Sequence, residues 1–222
     1  ESLSRGKHLL LRLRPPRTGP ADELMTLHSH LGMDGSWRVY AVGERWRPRS
    51  RHLIRAVLRS ADAVAVGYQL HDLTLVPTEE EQRLVGHLGP DLLGPGWDPA
   101  EAVRRLSRHR DTTIAEALRD QRNLAGLGNV YVSELLFLRG VAPDTPVRRT
   151  PDLPGLVALA HRLLTANRDR PRRTTTGVLR RGETTYVYGR RGNPCRRCGT
   201  LVRAEELGDR ITYWCPACQP RR

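Results

Sequence analysis

The sequence predicts an α+β fold: an N-terminal β-sandwich, then a helical domain, then a terminal hairpin closed by four cysteines. Three observations predict it. Residues 7–68 break into short apolar or alternating segments separated by Gly, Pro and polar turns, the pattern of half-buried strands. Beyond the Gly- and Pro-rich stretch "HLGPDLLGPGWDP" at 87–99, apolar residues recur at helical spacing. All four cysteines lie within "CRRCGTLVRAEELGDRITYWCPAC", 195–218, as C-x2-C-x16-C-x2-C. The expected domains are 1–95, 96–185 and 186–222, and a chain with 38% hydrophobic residues has enough apolar surface for more than one small core.

The strand segments are "KHLLLRL" at 7–13, "ELMTLHSHL" at 23–31, "SWRVYAV" at 36–42, "RHLIRAVL" at 51–58 and "AVAVGY" at 63–68. The first begins abruptly, with no initiating methionine before it, so a sandwich incomplete at its N-terminal side is expected. The stretch at 87–99 reads as a linker. Asp98-Pro99 then supplies an N-cap and a first-turn proline for "AEAVRRLSRH". A second helix fits "TTIAEALRD", a third follows "GLGN" as "VYVSELLFLRG", and a fourth is "PGLVALAHRLLTANR". In the last, Leu156, Leu159, Ala160, Leu163 and Leu164 share one face. The basic loop "RPRRTTTG" leads through "TTYVYGRRG" into the cysteines. There is no internal repeat.

The charge balance of 37 basic against 24 acidic residues gives a net +13, which favours a polyanionic partner such as nucleic acid. Ribosomal proteins share such a composition, so charge alone does not settle the partner. No apolar run approaches the roughly 18 residues of a spanning helix, and no secretory signal is present, so no membrane partner and a cytoplasmic setting are expected, nucleoid-associated if bacterial.

Two Cys-x-x-Cys pairs in such a chain fit a tetrahedral structural Zn2+ held by Cys195, Cys198, Cys215 and Cys218. Four thiolates leave no open coordination position, so chemistry must come from the hairpin between them. Its strands are expected at "TLVRAE" and "RITYW" about the turn "ELGD", with Arg210 just past the turn. Arg210 is there either a solvated arginine or a phosphate ligand. In "DQRNLAGLGNVYVSELLF", 120–137, Gly126, Gly128 and Asn129 precede a helix, so free amides and the Asn129 side chain are placed either to meet a phosphate or merely to cap the helix. Lys7 stands at a strand start. His28 and His30 alternate in "HSHLGMDGSW" without a cysteine or carboxylate pattern beside them, and Met33 in the adjoining turn is oddly placed for a core residue. An exposed apolar side chain on a basic protein can wedge into a base stack.

Taken together and in this order, "SRGKHLLLRL", "HLGMDGSWR", "DQRNLAGLGNVYVSELLF" and "VYGRRGNPCRRCGT…RITYWCPAC" resemble the formamidopyrimidine-DNA glycosylase and endonuclease VIII family over nearly the whole chain. The resemblance implies a monomeric base-excision-repair enzyme with a β-sandwich, a helix-two-turn-helix motif and a zinc finger, acting on double-stranded DNA that carries an oxidised base or an abasic site. It implies a flipped nucleotide and a Schiff base between an N-terminal proline and C1′, followed by β- and δ-elimination. Residue by residue, it implies that Lys7 contacts phosphate and assists β-elimination, and that His30 and Asn129 contact phosphate. Met33 becomes the wedge, and Arg210 grips the phosphate beside the lesion and serves δ-elimination. The family's Pro-Glu start is not found in residues 1–222, so the nucleophile is expected upstream, with a chain of these residues alone inactive; the alternative is a non-enzymatic reader of damaged or abasic DNA. An Arg-Phe pair of the formamidopyrimidine branch has no counterpart in "AVAVGYQLHDLTLV", which points to an endonuclease VIII-like enzyme acting on oxidised pyrimidines.

Overall fold

The computed structural model, which describes residues 1–14, 24–44 and 51–221, falls into two units, Glu1–His87 and Leu88–Arg222. Glu23, the first residue of one expected strand segment, lies outside the described residues.

The first unit contains β1 (Ser2–Arg5), β2 (His8–Leu13), β3 (Met25–His30), β4 (Ser36–Ala41), β5 (Ile54–Arg59), β6 (Ala63–Tyr68), β7 (Asp72–Pro77) and the short helix α1 (Glu81–Val85). They form two antiparallel sheets, ordered β1-β2-β3-β7 and β4-β6-β5. Two strands, β1 and β7, and the helix α1 were not among the expected elements. β1 has a single apolar residue in "SLSR" and owes its conformation to its ladder with β2, in which Ser2 faces Leu11 and Arg5 faces His8. A two-residue turn joins these strands, and Gly6 at φ 60° supplies the positive φ that a tight hairpin needs at its first central position. Lys7 is the second turn residue, one position ahead of the strand.

β3 lies inside its sheet and buries Thr26, Leu27, His28 and Ser29. Its buried polar groups are largely satisfied: Ser29 Oγ accepts the Trp37 indole N–H at 3.1 Å, which ties β3 to β4 of the other sheet. Thr26 Oγ1 donates to the Glu81 carboxylate at 3.0 Å, and Arg12 Nε and Nη2 reach the same carboxylate at 3.1 and 2.5 Å.

The second unit contains α2 (Pro99–Arg108), α3 (Ile114–Arg119), α4 (Asn129–Arg139), α5 (Leu153–Thr165), β8 (Arg203–Leu207) and β9 (Arg210–Trp214). Asp98 Oδ1 accepts the N–H groups of Ala100 and Glu101, the cap that the Asp-Pro pair announced. The stretch read as a linker is folded onto the helices instead. Leu88 and Leu92 are buried, and the chain at 90–92 exchanges backbone hydrogen bonds with Ala125. Its glycines and prolines shape a packed path, because the two leucines between them supply core side chains.

Helix α4 is apolar on most of its circumference and is buried from Val132 to Phe137. Leu135 and Leu136 join Leu106, Ile114, Leu118 and Leu156 in the helical core. Phe137 belongs to a second core with Val187, Cys195, Val202 and Cys215. One helix therefore serves two cores, which explains why its sequence shows no polar face.

Candidate nucleic-acid interface

The four cysteine sulfurs lie within 4.8 Å of one another. Cys195 and Cys218 are 3.9 Å apart, Cys198 and Cys215 3.5 Å, and Cys198 and Cys218 3.5 Å. These separations are far beyond the ~2.05 Å of a disulfide. They match the ~3.8 Å edge of a tetrahedron with zinc–sulfur bonds of ~2.3 Å, so the residues fit a structural zinc ion. Hydrogen bonds from Thr200 pull the Cys198 thiol down to about 6, whereas burial pushes Cys218 up to about 12 and raises Cys215. Metal binding therefore displaces protons from Cys215 and Cys218. Gln219, fully buried, accepts the Cys215 N–H and donates to the Val141 carbonyl at 2.8 Å, fastening the last cysteine pair to the end of α4.

The hairpin is shorter than expected. Its turn is Gly208-Asp209, and Thr200–Val202 leave the ladder because Val202 is buried in the finger core and bonds back to Gly192 and Asn193. Arg210 is the first residue after the turn, opposite Leu207, and its side chain is half exposed with Nε 3.2 Å from Asp209.

The loop before α4 is held by Gln121, whose amide donates to the carbonyls of Arg119 and Leu127 and accepts the Gly126 N–H at 3.0 Å. Gly126 sits at φ 101°, which only glycine adopts without strain. Gly128, at φ −109°, is ordinary extended backbone and is the N-cap of α4. Asn129 does not cap the helix. Its amide donates to the Ile211 carbonyl at 2.7 Å and its oxygen accepts from Arg119 Nη1 at 3.2 Å, so the side chain is drawn to the hairpin. A glycine cap has no side chain to offer, so no side-chain cap hydrogen bond reaches the first-turn amides of α4.

Arg119 organises this region. Nη1 also donates to Thr212 Oγ1 at 2.8 Å and Nη2 to the Leu207 carbonyl at 2.8 Å. One guanidinium thus links the end of α3, the start of α4 and both hairpin strands. Burial lowers its pKa, opposed by Asp209 and Glu116. Asn129 and Arg210 come together on this clasp, because Asn129 is bonded to the residue that follows Arg210.

In the first unit, Lys7 is exposed in the β1–β2 turn, next to His8, which faces His30 across the ladder. His30 Nδ1 accepts the Gly32 N–H at 3.2 Å, which leaves Nε2 as the donor of the neutral ring. Burial lowers the His30 pKa; Asp72 opposes this, and Lys7 and His71 add to it. The turn that follows is closed by the Gly35 N–H to the Leu31 carbonyl at 2.8 Å and carries Met33, which is 89% exposed. The exposure of Met33 fits no packing role.

Residues 88–153 match the family model described as the formamidopyrimidine-DNA glycosylase H2TH domain, and residues 192–221 match that of a zinc finger found in FPG and IleRS. A probable endonuclease 8 2 of Streptomyces coelicolor is 54% identical, over 97% of this chain and 76% of its own length. The chain belongs to the formamidopyrimidine-DNA glycosylase and endonuclease VIII family. A DNA-(apurinic or apyrimidinic site) lyase Nei2 of Mycolicibacterium smegmatis is 45% identical, over 99% of this chain and 81% of its own length. Such relatives place the chain in the endonuclease VIII-like branch. The Lactococcus lactis Fpg, solved in complex with abasic-site DNA, shares the fold with a TM-score of 0.75 at 24% identity, covering 99% of this chain and 81% of that one.

Three residues that hold the second unit together were missed by the sequence reading. Arg119 and Gln121 sit within the quoted glycine-asparagine stretch, but their partners are backbone groups that spacing does not reveal. Glu134 is a fully buried carboxylate whose oxygens accept the N–H groups of Tyr186, Val187 and Tyr188 and the Thr175 hydroxyl. An acidic residue inside the apolar run "VSELLF" was the available signal.

Proposed function

We propose that the intact protein is a base-excision-repair DNA glycosylase with abasic-site lyase activity that removes oxidised bases, chiefly pyrimidines. The observation that carries this reading is the Arg119 clasp, which holds Asn129 and the side-chain-uncapped start of α4 to the hairpin strands that carry Arg210. Charge-assisted donors at a helix start and a hairpin tip suit two backbone phosphates. In the first unit, Lys7 supplies a cation, His30 Nε2 a neutral donor, and Met33 an apolar wedge for the space of an extruded base.

The division of labour follows from these groups. Asn129, His30 and Arg210 grip the backbone and orient the sugar, and Lys7 and Arg210 stand beside the phosphates that leave in β- and δ-elimination. The amine that attacks C1′, an N-terminal proline in the family, is not among residues 1–222. Those residues by themselves bind abasic DNA without excising a base. The missing Arg-Phe pair supports oxidised pyrimidines over 8-oxoguanine.

The test compares the 222-residue chain with one that carries an N-terminal Pro-Glu segment. Both are expected to bind abasic-site duplex, and only the longer one is expected to be trapped by borohydride and to cut thymine-glycol duplex faster than 8-oxoguanine duplex. A trapped adduct on the 222-residue chain, or equal binding to intact and abasic duplex, refutes the reading.

A further inference from the structure

His8, His28, His30, His71 and His87 form a chain of neighbouring rings in the first unit. The His8 ring lies 5.0 Å from those of both His28 and His30, and His30 lies 6.2 Å from His71. At the end of this chain the backbone brings in a carboxylate. Asp72 faces His30 directly across the β3–β7 ladder, and the His71 N–H donates to the His30 carbonyl at 2.9 Å. Register therefore fixes the backbone positions of all three residues. Their ligand atoms lie within 4.8 Å of one another, and His71 Nδ1 is 3.2 Å from the Asp72 carboxylate.

Two imidazoles and one carboxylate are a donor set for zinc-like divalent ions, whereas calcium and magnesium prefer oxygen throughout. An ion bound at ~2.0–2.2 Å holds its ligands roughly 3–3.5 Å apart. The side chains of His71 and Asp72 are exposed and free to rotate the remaining distance. We propose that His30, His71 and Asp72 form a second metal site, separate from the four cysteines, for a borderline divalent ion such as Zn2+, Co2+ or Ni2+.

Occupancy has a structural cost that the geometry specifies. His30 Nδ1 now accepts the Gly32 N–H. Ligation through Nδ1 displaces that bond, and ligation through Nε2 places a proton on Nδ1 facing the same N–H. Either way the turn that carries Met33 loses its tie to His30. The ion also takes His30 away from the phosphate assigned to it above, a consequence that rests on the proposed function. Metal at this site and DNA on this unit are therefore antagonists.

The test uses the full 222-residue chain with zinc in its four-cysteine site. Co2+ is titrated in and followed by visible absorption, with zinc content measured throughout. One further equivalent is expected, with weak bands of nitrogen and oxygen ligation and no thiolate-to-cobalt charge transfer. His71→Ala and Asp72→Ala should each weaken it at least about tenfold, the lower end of what lost supporting contacts cost metal sites, with zinc retained. The site is overturned if no further equivalent binds, or if one binds with undiminished affinity in the double variant. Affinity for abasic duplex is then measured with and without saturating Co2+. A loss in the wild type that is absent in His71→Ala supports the antagonism. If cobalt binds at this site and DNA affinity is unmoved, the metal site stands and the phosphate role of His30 falls.

Discussion

Glu134→Gln isolates what one buried carboxylate does for the segment leading into the zinc finger. In the native arrangement Oε1 accepts from Val187 and Tyr188 at 2.8 and 2.9 Å, and Oε2 accepts from Tyr186 at 2.7 Å and from the Thr175 hydroxyl. Glutamine keeps one oxygen for two of these amides. Its NH2 group must then face the Tyr186 N–H, donor against donor, while Thr175 can turn its hydroxyl to accept. The Tyr186 N–H is left unsatisfied, at about 1–3 kcal/mol, and the three bonds that survive lose their charge assistance, at about 1 kcal/mol each, less whatever is recovered by no longer burying a charge. A net ~2–4 kcal/mol follows, and for a chain of this length roughly 2–4 °C per kcal/mol gives a fall in Tm of roughly 5–15 °C. The assays are thermal unfolding and hydrogen exchange at residues 186–188, with zinc content as the control. A variant with unchanged Tm and fully protected 186–188 amides refutes the reasoning, since the carboxylate would then be replaceable by any polar group.

Arg210→Ala is expected to weaken abasic-duplex binding by about tenfold, the worth of one charge-assisted contact, with zinc content unchanged; loss of zinc contradicts the separation of clasp from tool. Arg119→Ala should weaken binding by more than Asn129→Ala, because it releases the hairpin carbonyl and Thr212 as well as Asn129; equal effects in an anisotropy titration would deny the clasp. Removing zinc with a chelator should expose hairpin amides while α2, α3 and α5 stay protected, since their core shares no cysteine, and zinc retention should fall with pH as thiolates are reprotonated. The first unit should lose stability in acid. Burial, reinforced by His28, His30 and His87, lowers His8 to about 4 in the fold, while the unfolded chain keeps the ordinary value near 6.5. Between these values the unfolded state holds more protons, so stability is full above pH ~6.5 and declines toward pH ~4, by about 1–2 kcal/mol once solvent screening is discounted. A flat stability profile over that window, or no change in slope in His8→Gln, counts against it.

The features legible in the sequence were those whose physics is local. The cysteine spacing, the Asp98 cap and the apolar stripe of α5 each act over a few residues, and each is found where spacing placed it. The rest depended on partners far along the chain. β1 is a strand because β2 lies beside it, and Glu134 is buried because residues 186–188 come to it with three donors. Asn129 misled for a related reason. Its type and position suit a cap, but its side-chain oxygen, the atom that would accept a first-turn N–H, accepts from Arg119 instead, while its amide is drawn to the Ile211 carbonyl, remote in sequence. The glycines and prolines of 87–99 lie between the last strand of the first sheet and the body of helix α2, and their leucines show that such a stretch can be packed rather than loose.

Arg119 turns the helical motif and the finger into a single gauge. Its three acceptors, on α4, on β8 and on β9, are set before any nucleic acid arrives, so the jaws on either side of it cannot be spread independently. Straight and kinked duplexes differ in the spacing of successive phosphates, and deforming DNA to fit carries an energy that depends on the bases being deformed. A gauge with fixed jaws charges that energy to the DNA alone. On the proposed function a duplex already weakened at a damaged site yields at least cost, which predicts that part of the discrimination between sound and damaged DNA rests on this half-buried arginine.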